Sequence, residues 1–129
     1  MGGFSDVMRI LLVEDDRFFR RFYVEKLKER GFEVEEAEDG VQGVEKARLA
    51  MPDLIVLDII MPKKDGFEVL MTLQSDSNLK NIPVLIFSTL GQDADIEKAK
   101  KLGALDYVNK SLMNFDNLIT KINALTQKR

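Results

Sequence analysis

Acidic side chains stand where two short apolar runs of this sequence end. Glu14-Asp15-Asp16 follows Ile10-Leu11-Leu12-Val13, and Asp58 follows Leu54-Ile55-Val56-Leu57. Two further apolar runs lead into hydroxyl and amine groups: Val84-Leu85-Ile86-Phe87 into Ser88-Thr89, and residues 104–108 into Asn109-Lys110. The chain contains no Cys and no His. Thiolate metal sites, imidazole bases and phosphohistidine are therefore excluded, leaving oxygen and lysine chemistry. If the first and third runs are neighbouring strands, Glu14, Asp15 and Asp58 converge, and carboxylates that close together do not all stay ionised unaided. A cation or bound protons must balance them, and an all-oxygen ligand set favours Mg²⁺ over zinc or copper. Lys110 and Ser88 would add donors suited to a transferring phosphoryl group, whose negative charge spreads over its equatorial oxygens. Asp58 is the candidate nucleophile because it closes the most central run and a carboxylate can carry a phosphoryl group. Glu14 and Asp15 are the candidate metal arm.

These residues need a scaffold that brings strand ends together. Apolar runs at 8–13, 54–57 and 84–87 are apolar on both faces, as in the centre of a parallel sheet covered on both sides. Residues 32–37 alternate and predict a half-exposed edge strand, and residues 104–108 predict a short fifth strand. Helical spacing of apolar residues predicts helices over 16–30, 40–51, 66–74, 93–102 and 114–127, with Asp16 capping the first and Gly31 closing it. The first helix carries Phe18, Phe19, Phe22, Tyr23 and Leu27 at helical spacing and is expected to pack on the sheet. Strand–helix repeated five times, with right-handed crossovers, gives an α/β fold: a doubly wound, five-stranded parallel sheet with helices on both faces. Such sheets bind ligands beyond the C-terminal ends of their strands. A half dinucleotide-binding unit is the runner-up, but Glu14-Asp15-Asp16 stands where its glycine-rich turn belongs.

The 129 residues suit a single domain. A lead-in over 1–7, one domain over 8–127 and a tail at 128–129 are expected. Hydrophobic residues at 45% and charged residues at 32% are an ordinary globular balance. The net charge of -3 carries no basic excess for nucleic acid. No apolar run reaches the ~18 residues needed to span a bilayer, and no secretory signal is evident, so a cytoplasmic location is expected.

The chain resembles a response-regulator receiver domain of the CheY type over about residues 8–127, with the flavodoxin-like strand order 2-1-3-4-5. The resemblance rests on five segments in order: 10–16, 52–58 (Pro52-Asp53 to Asp58), Met61-Pro62-Lys63-Lys64-Asp65-Gly66, 83–88 and 103–110. It implies that Asp58 is the phosphoacceptor, that Glu14 and Asp15 hold Mg²⁺ directly or through water, and that the Ile60 carbonyl is a further ligand. It also implies that Ser88 and Lys110 contact the phosphoryl group and that Tyr107 is an aromatic switch. The donor would be a sensor histidine kinase or a histidine phosphotransfer protein, and the output a downstream target bound by the face of helix 4, strand 5 and helix 5. The protein would be a monomer or a phosphorylation-dependent dimer, and a switch rather than an enzyme. A phosphorylation-independent scaffold and a small aspartate-nucleophile phosphohydrolase are the rival readings; the latter lacks a second acid at position 60.

Two departures from the family pattern stand out. Ser111 replaces the proline that usually follows the lysine, and a cis peptide before a non-proline costs about 2.5–4 kcal/mol, so a trans bond and a reshaped loop at 111–114 are expected. Ile60 and Leu90, each two residues past Asp58 and Ser88, are apolar and cannot orient an attacking water, so slow self-dephosphorylation is expected.

Overall fold

The computed structural model describes residues 7–112 and 114–126. Six of the seven lead-in residues, the tail at 128–129 and the last helical position expected at 127 lie outside the described residues. Among those described, the chain alternates strand and helix: β1 (Arg9–Val13), α1 (Arg17–Glu29), β2 (Glu33–Ala37), α2 (Gly40–Ala50), β3 (Leu54–Leu57), α3 (Gly66–Gln74), β4 (Val84–Ser88), α4 (Asp93–Lys101), β5 (Asp106–Asn109) and α5 (Phe115–Thr126). The strands form one parallel sheet in the order β2-β1-β3-β4-β5. This is the doubly wound, CheY-like arrangement that the alternation predicts. None of the described helices is long and apolar enough to cross a membrane.

Strand side chains alternate between two cores. Leu11, Val13, Ile55, Leu57, Val84 and Ile86 face Val44 and Ala47 of α2, Val69, Leu70 and Leu73 of α3 and Ala99 of α4. Ile10, Leu12, Leu54, Val56, Leu85 and Phe87 face Val24 and Leu27 of α1 and Leu118, Ile119 and Ile122 of α5. Burial on both faces is why the three central runs carry no polar alternation.

Helix α1 departs from the expected packing. Its buried stripe is Arg20, Val24 and Leu27, spaced i, i+4, i+7. Phe18 lies two positions from that stripe, roughly 200° around the helix at 3.6 residues per turn, and is 88% exposed. Phe19 and Phe22 are also exposed. The aromatic count misleads there because the buried arginine defines the inner face. The ends of α1 are as expected. Asp16 accepts from Phe19 N at 3.1 Å, and Gly31, at φ 94°, donates to Lys28 O while Phe32 N reaches Leu27 O.

Gly66 opens α3 against the end of β3. A Cβ there would sit 2.4 Å from Asp58 O and 2.7 Å from Ile59 Cα, both backbone atoms with no side chain to swing aside. Gly66→Ala is therefore expected to lower stability by about 1–3 kcal/mol, the usual cost of overpacking. A fall in the urea midpoint would register it; an unchanged midpoint would mean the β3–α3 turn is looser than it is drawn.

Candidate functional site

Register brings the expected residues together. Val13 pairs with Leu57, so Glu14 and Asp58 leave adjacent strands at the same level. Ser88 pairs with Asn109, which places Lys110 one step beyond. The ladder continues past the strand ends to each of these residues. Glu14 N donates to Ala37 O, Asp58 N to Val13 O and Lys110 N to Ser88 O, all between 2.9 and 3.0 Å. Their backbones are thereby as fixed as the strands themselves.

One ammonium serves two carboxylates. Lys110 Nζ forms an ion pair with Glu14 Oε1 and lies 3.2 Å from Asp58 Oδ2, and all three side chains are under a tenth exposed. Asp58 Oδ1 accepts from Ile59 N at 2.7 Å, and Glu14 Oε2 accepts from Asp16 N at 2.9 Å. Asp15 is exposed beside them, and one oxygen from each of Glu14, Asp15 and Asp58 lies within 4.8 Å of the others. Three hard oxygen donors of this kind, two buried and one open to solvent, suit a small divalent cation that keeps part of its water shell.

Burial pushes the Glu14 carboxyl above its ordinary 4.5, with the Asp58 charge adding to the rise while the bonds from Lys110 and Asp16 N oppose it. Burial alone would lower Lys110. The hydrogen bond to Glu14 and the charges of Asp58 and Glu14 outweigh it and hold the amine above its ordinary value, so it is an ammonium at neutral pH.

Sequence reasoning missed Arg20. Its guanidinium is buried against the acidic turn, donating to Glu14 O at 2.9 Å and to Asp15 O at 3.4 Å, with Nε on Glu36 Oε1 of β2 at 2.9 Å. Five donors in a planar fork suit this bridging of two carbonyls and a carboxylate. The available signal was position: Arg20 lies i−4 and i−7 from Val24 and Leu27, on the apolar stripe where an unpaired arginine could not be buried.

Ser88 is fully buried at the end of β4 and Thr89 is exposed. The Ser88 hydroxyl accepts from Leu90 N at 3.3 Å. The Tyr107 hydroxyl donates to Leu90 O at 2.7 Å, and its ring packs on the α2–α3–α4 side of the sheet. Tyr107 thus stands packed inward. Burial, with the charges of Asp95 and Asp58, raises its phenol. The Ile60 side chain is exposed and Leu90 is half-buried. The described peptide bonds are all trans, that after Lys110 included. Ser111 N is held by Asn109 Oδ1 at 2.8 Å and Leu112 N by Asn109 O.

A doubly wound parallel sheet with an acidic pocket and a lysine at its C-terminal edge is the architecture of phosphorylation-dependent signalling modules. The family model of the response regulator receiver domain matches residues 10–123. Protein PilH of Pseudomonas aeruginosa is 36% identical over 117 residues, covering 91% of this chain and 96% of PilH. The hybrid signal transduction histidine kinase D of Dictyostelium discoideum is 38% identical over 120 residues, 93% of this chain but 8% of that protein. The transcriptional regulator RpaA of Synechocystis is 35% identical, and the chain spans about half its length, 49%. The chemotaxis protein CheY4 of Vibrio cholerae superposes with a TM-score of 0.86 at 28% identity, covering 92% of this chain and 98% of that one. The chain belongs to the response regulator receiver domain family and is a phosphorylation-dependent switch of two-component signalling.

Two outcomes test the pocket. Arg20→Met is expected to weaken Mg²⁺ binding about tenfold, the usual scale for losing a group that orients metal ligands. Calorimetric titration checks this, and an unchanged affinity would show that the acidic turn holds itself. A carboxyl raised on folding contributes stability that is complete below its unfolded value of 4.5 and is lost as pH rises through its folded value. Without divalent cations, the urea midpoint should therefore decline from pH 4.5 toward neutrality, and Glu14→Gln should flatten that decline. Parallel slopes for the two proteins would contradict the Glu14 assignment.

Proposed function

We propose that Asp58 is the phosphoacceptor of this receiver domain and that Lys110, Ser88 and the Glu14–Asp15 arm serve it. One observation carries the reading. A buried aspartate sits at the mouth of the sheet with an ammonium 3.2 Å from one carboxylate oxygen and two further carboxylates within reach of a shared cation. Glu14, Asp15 and Asp58, with the Ile60 carbonyl, would hold Mg²⁺, which when bound neutralises the carboxylates and the charge of the incoming phosphoryl oxygens.

The phosphoryl donor would be a histidine kinase or histidine phosphotransfer protein, the donor class that the receiver family implies. An Asp58 oxygen attacks the phosphorus, the O–P bond forms as the N–P bond to the donor imidazole breaks, and the imidazole nitrogen recovers a proton from solvent. Lys110 moves its ammonium from Asp58 Oδ2 to a phosphoryl oxygen. Ser88 turns its hydroxyl toward the same group and releases Leu90 N. Tyr107 holds the other polar group of Leu90. The loop at 89–93, and with it the face of α4, β5 and α5, is then biased toward a second arrangement that a downstream protein recognises. Ile60 and Leu90 give an attacking water no hydrogen-bond partner, so the acyl phosphate decays slowly.

Asp58→Asn is expected to abolish labelling by a small phosphodonor such as acetyl phosphate in the presence of Mg²⁺. Phosphate-affinity electrophoresis reads the result directly, and full labelling of the variant would refute the acceptor assignment.

A further inference from the structure

The carboxylates are only half of what surrounds the Lys110 ammonium. Nζ lies 4.9 Å from the centroid of the Phe19 ring, on α1, and 5.7 Å from that of Phe87, on β4. Tyr23 ties the two rings together: it stacks on Phe19 at 6.1 Å with 4° between planes, and meets Phe87 edge-on at 5.1 Å. Phe115, at the start of α5, completes the cluster at 6.3 Å from Tyr23. We infer that Phe19 and Phe87 form an aromatic cage that positions Lys110 for phosphoryl transfer, with Phe19 as a positioning residue supplied by the surface helix α1.

The physical argument runs through competition for the ammonium. A lysine has four rotatable bonds and a strongly hydrated head. Carboxylates fix where its charge points, yet they leave its stem free to swing toward solvent. Negative ring faces within about 6 Å of the ammonium attract the same charge and exclude water from it. The ammonium is therefore held next to Asp58 by rings as well as carboxylates before any phosphoryl group arrives. Phe87 is buried in the core, whereas Phe19 is 42% exposed with its ring 4.9 Å from the buried ammonium. That position explains an aromatic residue left partly in water: its inner face meets a cation. The Phe19 ring can be altered without opening a cavity, which makes the assignment testable.

The proposal rests on the reading of Asp58 and Lys110 as acceptor and phosphoryl ligand, and two measurements separate its failure from theirs. First, ring currents should shift the Lys110 ε-methylene protons upfield in the wild-type protein, and Phe19→Leu should remove part of that shift while Phe19→Tyr retains it. Ordinary lysine shifts in the wild type would overturn the cage whatever Asp58 does. Second, the rate of labelling by acetyl phosphate at saturating Mg²⁺ should fall about two- to fivefold in Phe19→Leu, the scale of one partly exposed cation–π contact, and recover in Phe19→Tyr. Leucine keeps the apolar bulk and loses the π face, so a role in packing alone predicts equal rates. Equal rates, or a tyrosine variant as slow as the leucine one, would overturn the positioning role. Labelling that persists in Asp58→Asn would instead sink the acceptor reading, with the cage still judged on the Lys110 shifts.

Discussion

Everything at this site depends on an imbalance of charge at the C-terminal edge of the sheet. Two buried carboxylates, Glu14 and Asp58, share the Lys110 ammonium, with exposed Asp15 beside them. Lys110 cannot neutralise Glu14 and Asp58 together, and Asp15 adds a third negative charge. Like charges at such separations raise each other's cost of ionisation, and at Glu14 the Asp58 charge adds to a rise that burial dominates. On the proposed reading, a pocket poised in this way would gain stability from a divalent cation. It also gains a use for the lysine, which a phosphoryl group on Asp58 can recruit without new residues being brought in.

The sheet builds this imbalance and also keeps it from collapsing. Glu14, Asp58 and Lys110 each donate a ladder bond to the strand beside them, so their backbones cannot drift apart to relieve the repulsion. Behind the acidic turn, Arg20 holds the carbonyls of Glu14 and Asp15 while Glu36 balances its charge. That cation contributes to geometry without neutralising the carboxylate oxygens that face the pocket. Positive charge behind the turn and negative charge in front of it is a stable division only because the backbone separates them.

The fold was legible because its signals are local. Three runs apolar on both faces could only be central strands, and Asp16 and Gly31 mark the ends of α1 in the way their side chain and backbone freedom dictate. The meeting of Glu14, Asp15, Asp58 and Lys110 was legible because strand ends of a parallel sheet are addressable by counting. What counting could not reach was the inner face of α1. Phe18, Phe19 and Phe22 outweigh Arg20 in any hydrophobicity sum, yet the arginine is inside and the three rings are exposed. The arginine's partners are two backbone carbonyls and a glutamate 16 residues away, and the Phe19 ring owes its place to a lysine 91 positions on. Tertiary partners of that range leave no periodicity behind. Tyr107 escaped for a related reason: its inward position depends on the Leu90 carbonyl, a backbone atom that any residue would have provided.

The helices beside the site are held with unequal firmness. On one side, Lys110 meets rings that join α1, β4 and α5, and Arg30 reinforces the seam by stacking on Phe115 and pairing with Asp116. On the other, α4 buries only Ala99, and its N-cap Gln92 provides no side-chain bond. Yet α4 is internally well formed: Asp93 and Asp95 occupy its first turn and Lys98, Lys100 and Lys101 its last, the order that its dipole favours. A helix stable in itself and weakly docked responds to a change beneath it by shifting as a body rather than by melting. Ser88 and Tyr107 grip the two polar groups of Leu90 at the head of the loop that leads into it. On the proposed reading, a charge added at Asp58 therefore meets resistance through Lys110 and compliance through Ser88, and the compliant side is the one that carries the signal outward.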